Sequence, residues 1–283
     1  MTMSWPVLAA VLCGALLHAS WNALVKSSTD KTLDTALIHV LCSLIALPVL
    51  LVIGPPEAKA WPFIIGSLVV HIGYYFALAG AYRHGDLGLT YPLMRGSAPV
   101  LVALASAALL GESLSPLAWG GVLAVSGGVL LLGASAGLMR HGKAVVFALS
   151  NAVIIAVYTV IDAKGARTAD HVAQYVAMLF VLDGWPFAAL VFAQRRDQVA
   201  AMRDYARRRW PIAAVGALAS LGSYAIALWA MTVAPVAMVA ALRETSVLFA
   251  ALIGVAFLGE KWTPQRVAGT VAIVSGVMAL RLG

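Results

Sequence analysis

Residues 95–132, RGSAPVLVALASAALLGESLSPLAWGGVLAVSGGVLLL, return 148 positions later, without a gap, as residues 243–280, RETSVLFAALIGVAFLGEKWTPQRVAGTVAIVSGVMAL. Thirteen of the 38 aligned pairs are identical, among them Arg95 with Arg243, Gly111-Glu112 with Gly259-Glu260, Pro116 with Pro264, and Gly128-Val129 with Gly276-Val277. A weaker echo upstream sets Tyr74, Ala77 and Leu78 against Tyr224, Ala227 and Leu228. The pattern reads as an internal duplication.

What is duplicated follows from composition. Of 283 residues, 62% are hydrophobic and 11% charged, with a mean hydropathy of +0.92. An average soluble domain is roughly 25% charged, so this chain cannot coat itself for water and its surface must face lipid. A membrane-spanning helix needs about 20 mostly apolar residues, and ten segments qualify: 4–26, 33–53, 61–82, 88–110, 116–135, 143–163, 171–193, 211–232, 235–258 and 264–281. Helix stops separate them: Gly54-Pro55-Pro56, Gly85-Asp86, Gly111 ahead of Pro116, and Pro211, Pro235 and Pro264 as openers of new helices. Helices of this length exclude a β-barrel. The apolar start lacks a basic region before it, so it reads as a retained first span and not a cleaved signal. The longest polar connection, residues 194–210, is too short for a soluble domain. The expected fold is an all-α integral membrane protein of ten transmembrane helices, in two five-helix repeats, residues 1–136 and 137–283. Five is odd, so the second repeat enters from the opposite side, and an inverted pair is transporter architecture.

The chain resembles the drug/metabolite transporter superfamily, specifically its EamA-type members, over essentially its whole length. The resemblance is carried by Leu110-Gly111-Glu112 and Leu258-Gly259-Glu260 at the ends of the fourth and ninth spans. The proline and small-residue helix after each, and His18-Ala19-Ser20-Trp21-Asn22 in the first span, add to it. It implies a ten-helix secondary transporter. It leaves the substrate open, because the family moves amino acids, nucleotide-sugars, sugars, polyamine-like and quaternary amines, and drugs. Gly120, Ala124 and Gly128 recur as Ala268, Ala272 and Gly276, each trio on one helix face. Packing within the bundle is one reading. A homodimer contact is the other, since the fifth and tenth helices are peripheral in the resembled family.

Ionisable groups deep in a span cost several kcal/mol unless paired or hydrated, which makes them functional candidates. Arg95, Arg243, Glu244 and Asp183 qualify. Arg95 lies 17 residues before Glu112, about 25 Å along a helix. Arg243 is its inverted counterpart, so the two flank the midplane as a cradle for a carboxylate or phosphate. The competing reading makes them structural ion pairs, Arg95 with Asp183 or Arg243 with Glu244. His18, Trp21 and Asn22 share one face of the first span. Aligning spans one and six sets Trp21 against Tyr158, and Tyr74, Tyr75, Tyr91, Tyr175, Trp185, Tyr224 and Trp229 lie away from most loop ends. These line a cavity or cage a quaternary ammonium. Proton coupling has three candidates, His18, Asp183 and Glu244. Pro92 and Pro186 shape or hinge the helices beside the charges.

Six of the 19 basic residues sit in one loop, Arg195, Arg196, Arg203, Arg207, Arg208 and Arg209. They read as an orientation signal and not as a nucleic-acid surface. Leaving out Arg95 and Arg243, loops after odd-numbered spans hold 13 basic residues and the other side four. The positive-inside rule then puts both termini outside, against the resemblance, which implies termini in the cytoplasm. Cys13 and Cys42 lie in apolar runs and read as inert packing, with no disulfide framework or metal site. No cofactor is expected, because no nucleotide-binding loop motif is present. The six histidines are scattered without catalytic spacing, which speaks against a membrane-embedded enzyme. The leading expectation is secondary transport of an organic anion or zwitterion, such as an amino acid, carboxylate or phosphonate, across the inner or plasma membrane. The alternative substrate is a cationic amine, quaternary ammonium compound or drug.

Overall fold

The computed structural model describes residues 3–84, 87–133, 142–258 and 263–283. The helices are α1 (Trp5–Lys26), α2 (Lys31–Ile53), α3 (Trp61–His84), α4 (Leu87–Leu110), α5 (Pro116–Gly133) and α6 (Gly142–Thr168). After them come α7 (Val172–Gln194), α8 (Val199–Val233), α9 (Val236–Arg243), α10 (Thr245–Leu258) and α11 (Pro264–Leu282). With α9 and α10 forming one span, these are the ten expected transmembrane helices. Eight stretches are long and apolar enough to cross a membrane on length and composition, and Pro116–Leu132 is a shorter apolar helix. Exposed Leu51, Val52, Val69 and Phe76 form an outward surface that only lipid suits.

Local chemistry sets most boundaries. Asp30 caps α2 by accepting the Leu33 N–H at 3.0 Å, and Thr263 caps α11, where Pro264 occupies the first turn. Gly54 and Gly111 follow α2 and α4 with φ of +79° and +67°, the left-handed region that glycine enters at no steric cost. Pro211 departs from expectation. It lies inside α8, because the helix starts twelve residues earlier at Val199 and runs through most of the polar connection. The Gly85-Asp86 stop, the boundary at residues 136–137 and Gly259-Glu260 lie outside the described residues.

Helices pair across the two halves of the chain: α2 with α7, α3 with α6, α1 with α8, α4 with α6 and with α9, α1 with α10, and α5 with α11. Exchanging each span for the one five places on turns this set into itself. The α5–α11 seam is close-packed. A Cβ built at Gly121 would stand 2.9 Å from the Gly276 carbonyl oxygen, and one at Gly128 would stand 2.8 Å from that of Gly269. The two backbones therefore touch. The packed face holds Gly121 and Gly128 on one helix and Gly269 and Gly276 on the other. Gly120 of the expected stripe faces open space, with no described residue within 4 Å of a Cβ there. The Gly128 and Gly276 ends of the stripes thus serve packing inside the bundle.

Candidate functional site

The ninth span is interrupted at Glu244, where the backbone tightens: the Glu244 N–H donates to Ala241 O at 3.0 Å, and the Val247 N–H to Glu244 O at 3.0 Å. Three-residue closure in place of four ends α9 at Arg243 and starts α10 afresh at Thr245. Arg243 and Glu244 are thereby presented at an irregular turn deep in the bundle, opposite Arg95 of α4, whose own helix contains Pro92 and Pro99. Arg95, Tyr158, Arg243 and Glu244, with Pro99, Thr159 and apolar neighbours, line a cavity of about 10 Å³. That is room for about one water, so entry of any metabolite requires these helices to part.

Arg95 Nε lies 2.8 Å from Glu244 Oε2, and both side chains are buried. This replaces the expected Arg95–Asp183 and Arg243–Glu244 pairs with a pair between α4 and the ninth span, because the turn at Glu244 aims its carboxylate at α4. The contact is one of charge. Arg95 Nε and Nη2 and Glu244 Oε2 are buried and make no well-angled hydrogen bond among the described residues, so donors of a group built to make five such bonds stand unused. Arg243 lies over the ring of Tyr224, 5.3 Å from its centroid. Tyr91, Tyr158 and Tyr74 stand within electrostatic reach of Arg95, and His18 within reach of both arginines. On α1 the Trp21 Nε1–H points at His18 Nδ1 at 3.3 Å, and Asn22 donates to the His18 carbonyl at 2.8 Å. The Asn22 amide is therefore engaged by its own helix.

Two candidates extend the site through a residue that the sequence reading missed. Tyr175 donates to Asp162 Oδ1 at 2.8 Å, and Tyr224 donates to Oδ2 of the same carboxylate. Asp162 is fully buried, with Ser67, whose hydroxyl lies 3.2 Å from His71 Nδ1, beside it and His71 within electrostatic reach. The span was expected to end at 163, which put Asp162 at an interface, but α6 continues to Thr168. The available signal was the small residues Ala163, Gly165 and Ala166, of which Gly165 lies against the Tyr175 ring. His71 stacks on Tyr158 at 4.5 Å between ring centroids, with Tyr74 edge-on to Tyr158 at 6.3 Å. Asp183 is not among these residues. It stands within reach of His39, Cys42 and Tyr75, near the stack of Tyr75 on Phe187. Trp185 and Trp229 are turned largely outward.

Ionic clamps tie both ends of the bundle. At one end Arg195 binds Asp30, and Arg209 binds the buried Asp34 at 2.9 Å and the Leu24 carbonyl at 3.0 Å. Tyr205 donates to Asp34 at 3.1 Å. Two arginines of the basic loop are thus structural cations. Partial burial of Asp30 opposes its ionisation, but the hydrogen bonds from Arg195 and the Leu33 N–H prevail and hold its carboxyl below the ordinary range. At the other end Arg167 pairs with Glu112 at 2.6 Å and donates to the Met231 carbonyl, while Glu112 accepts the first N–H of α9, from Val236, at 2.8 Å. Glu112 of the Leu-Gly-Glu motif is therefore the cap of the interrupted helix, an anion where the helix dipole is positive. Lys59 bridges Asp170 and Glu57 at 2.7 and 2.8 Å.

The model of the EamA-like transporter family matches residues 5–134 and 142–282. A crystal structure described only as that of a protein superposes with a TM-score of 0.72 at 21% identity, covering 98% of this chain and 95% of its own. At that identity the likeness is one of fold.

Proposed function

Because the chain belongs to the EamA-like transporter family, it is a multi-pass membrane transporter of the drug/metabolite type, and we propose that it moves a small organic anion or zwitterion by alternating access. The observation that supports this most is Arg95: a buried guanidinium beside a cavity, opposite Arg243, paired in charge with Glu244 but with nitrogens that make no well-angled hydrogen bond among the described residues. A carboxylate, amino acid or phosphonate supplies the oxygens these nitrogens lack, in the bidentate geometry a guanidinium favours. The clamps at both ends of the bundle fit two gates that open in turn. The pairings named above, unchanged when each span is exchanged for the one five places on, fit two repeats of residues 1–136 and 137–283. We place the transporter in the inner or plasma membrane, driven by an ion or substrate gradient.

The test is thermal unfolding of the purified protein in detergent against L-glutamate, L-alanine, succinate, methylphosphonate, choline and tetraphenylphosphonium, since a ligand of the folded state raises the melting temperature with concentration. Stabilisation by the anions or zwitterions, lost in Arg243→Gln and followed by flux into proteoliposomes, supports the reading. Stabilisation by choline or tetraphenylphosphonium alone transfers the site to the His71, Tyr74 and Tyr158 rings.

A further inference from the structure

The buried acids of the core are held in two different ways. Glu244 faces a guanidinium at 2.8 Å, and a guanidinium has no acceptor and stays charged, so the arrangement suits only the carboxylate. Asp162 is met by hydroxyls instead, from Tyr175 at 2.8 Å and from Tyr224, with the Ser67 hydroxyl beside it and 3.2 Å from His71 Nδ1. A hydroxyl both donates and accepts. The same cage therefore serves the carboxylate, with hydroxyls donating, and the carboxylic acid, with one hydroxyl turned to accept its proton. The groups facing Asp162 are Ser67 and His71 from α3, Tyr158 from its own helix, Tyr175 from α7 and Tyr224 from α8. Arg243 lies across the Tyr224 ring, and Lys164, two residues on, lies over Phe63.

Charge supplies the rest. Around the cavity and the hydroxyl cage, Arg95 and Arg243 against Glu244 and Asp162 sum to zero with the histidines neutral, while Asp183 stands apart beside His39 and Tyr75. A monoanion entering the cavity leaves a net negative charge in a water-poor core, where uncompensated charge is costly. One proton restores neutrality. We infer that Asp162 is a proton-binding site, loaded when an anion enters the arginine cavity. The proton binds a carboxylate oxygen of Asp162, and no bond breaks beyond its transfer from water. Tyr224 couples the two charges, since its hydroxyl holds Asp162 while its ring carries Arg243. The loading step rests on the anion reading above; the proton site itself does not.

Infrared difference spectroscopy of the protein in nanodiscs, titrated from acid to alkaline pH without ligand, reads the protonated-carboxyl stretch directly. The expected result is a band that fades as pH rises, present in wild type and in the Arg95→Gln/Glu244→Gln double variant and missing from Asp162→Asn. If Asp162→Asn does not fold, Tyr224→Phe decides: loss of one donor to the carboxylate makes proton binding roughly tenfold tighter, so the band persists to higher pH. A wild-type spectrum with no such band, or a band unmoved in Asp162→Asn or Tyr224→Phe, overturns the proposal. Methylphosphonate, which has no carboxyl stretch, is then added as the anion probe and is expected to increase the band. A titrating Asp162 band that ignores methylphosphonate keeps the proton site and counts against the anion cavity, so the two readings fail separately.

Discussion

Replacing Glu244 by Gln removes the carboxylate from a pair in which both side chains are nearly buried, 11% exposed for Arg95 and 6% for Glu244. Breaking a buried ion pair costs about 3–5 kcal/mol, because the surviving charge is left without compensation. The two single variants are not equivalent. Glu244→Gln leaves Arg95 and Arg243 facing one cavity, two like charges, so its cost falls at the upper end, about 4–5 kcal/mol. Arg95→Gln leaves Glu244 with Arg243 still beside the same cavity, which limits the loss to about 1–3 kcal/mol. The double variant Arg95→Gln/Glu244→Gln carries one cation and no orphan anion there, and two amides able to bond one another, so it recovers most of what Glu244→Gln loses. Thermal unfolding in detergent measures this as an apparent Tm drop on the order of 10 °C for Glu244→Gln and a few degrees for the others. Methylphosphonate restores part of the loss in Glu244→Gln by supplying the missing negative charge. Equal losses in the two single variants, or a double variant no better than Glu244→Gln, would refute the charge reasoning.

Three further outcomes follow from the packing and the clamps. Gly121→Ala forces a Cβ to 2.9 Å from the Gly276 carbonyl and 2.7 Å from the Leu280 side chain, an overpacking cost of about 1–3 kcal/mol. Gly120→Ala, with open space around it, is neutral or stabilises by up to about 1 kcal/mol through helix propensity; unfolding in detergent that ranks the two the other way defeats the seam described above. Glu112→Ala strips the cap from α9 and the partner from Arg167, costing about 2–3 kcal/mol. Glu112→Gln, which still accepts from Val236, loses less, and an equal loss would assign the whole effect to the ion pair. Asp30, with its carboxyl held below the ordinary value of 3.8, contributes stability that is complete above that value and lost as pH falls through the depressed one. Its partial exposure limits the contribution to under about 1 kcal/mol. The acid limb of Tm against pH should flatten in Asp30→Asn, and a limb unchanged in that variant refutes the assignment.

Span positions were legible because in lipid the length and hydropathy of a segment nearly determine its fate, and the duplicated stretch revealed the ten-helix plan. Arg95, Arg243 and Glu244 stood out as charges where water is absent, and they converge on one cavity. Partner choice was hidden. Which carboxylate meets Arg95 depends on a one-residue turn at Glu244 that no proline or glycine marks. Asp162 was overlooked because hydropathy falls at Lys164 and Arg167, while the helix runs on, held by Arg167 on the Met231 carbonyl and Glu112. The Leu-Gly-Glu motif was recognisable as a pattern, yet its task, capping a helix 124 residues away in sequence, belongs to tertiary structure. Gly120 and Gly121 are a related case, since adjacent glycines read alike until the helix rotation is known.

The glycine seam between α5 and α11 also constrains how the molecule can move. Two helices in backbone contact, with carbonyls lodged where side chains would otherwise stand, have no clearance to slide past one another, yet remain free to swivel about the touching line. In the alternating access proposed above, the seam serves as a line of swivel at one flank of the bundle. The same limit holds where α2 meets α7, since a Cβ at Gly184 would meet the His39 carbonyl oxygen, so both flanks favour rocking over shear.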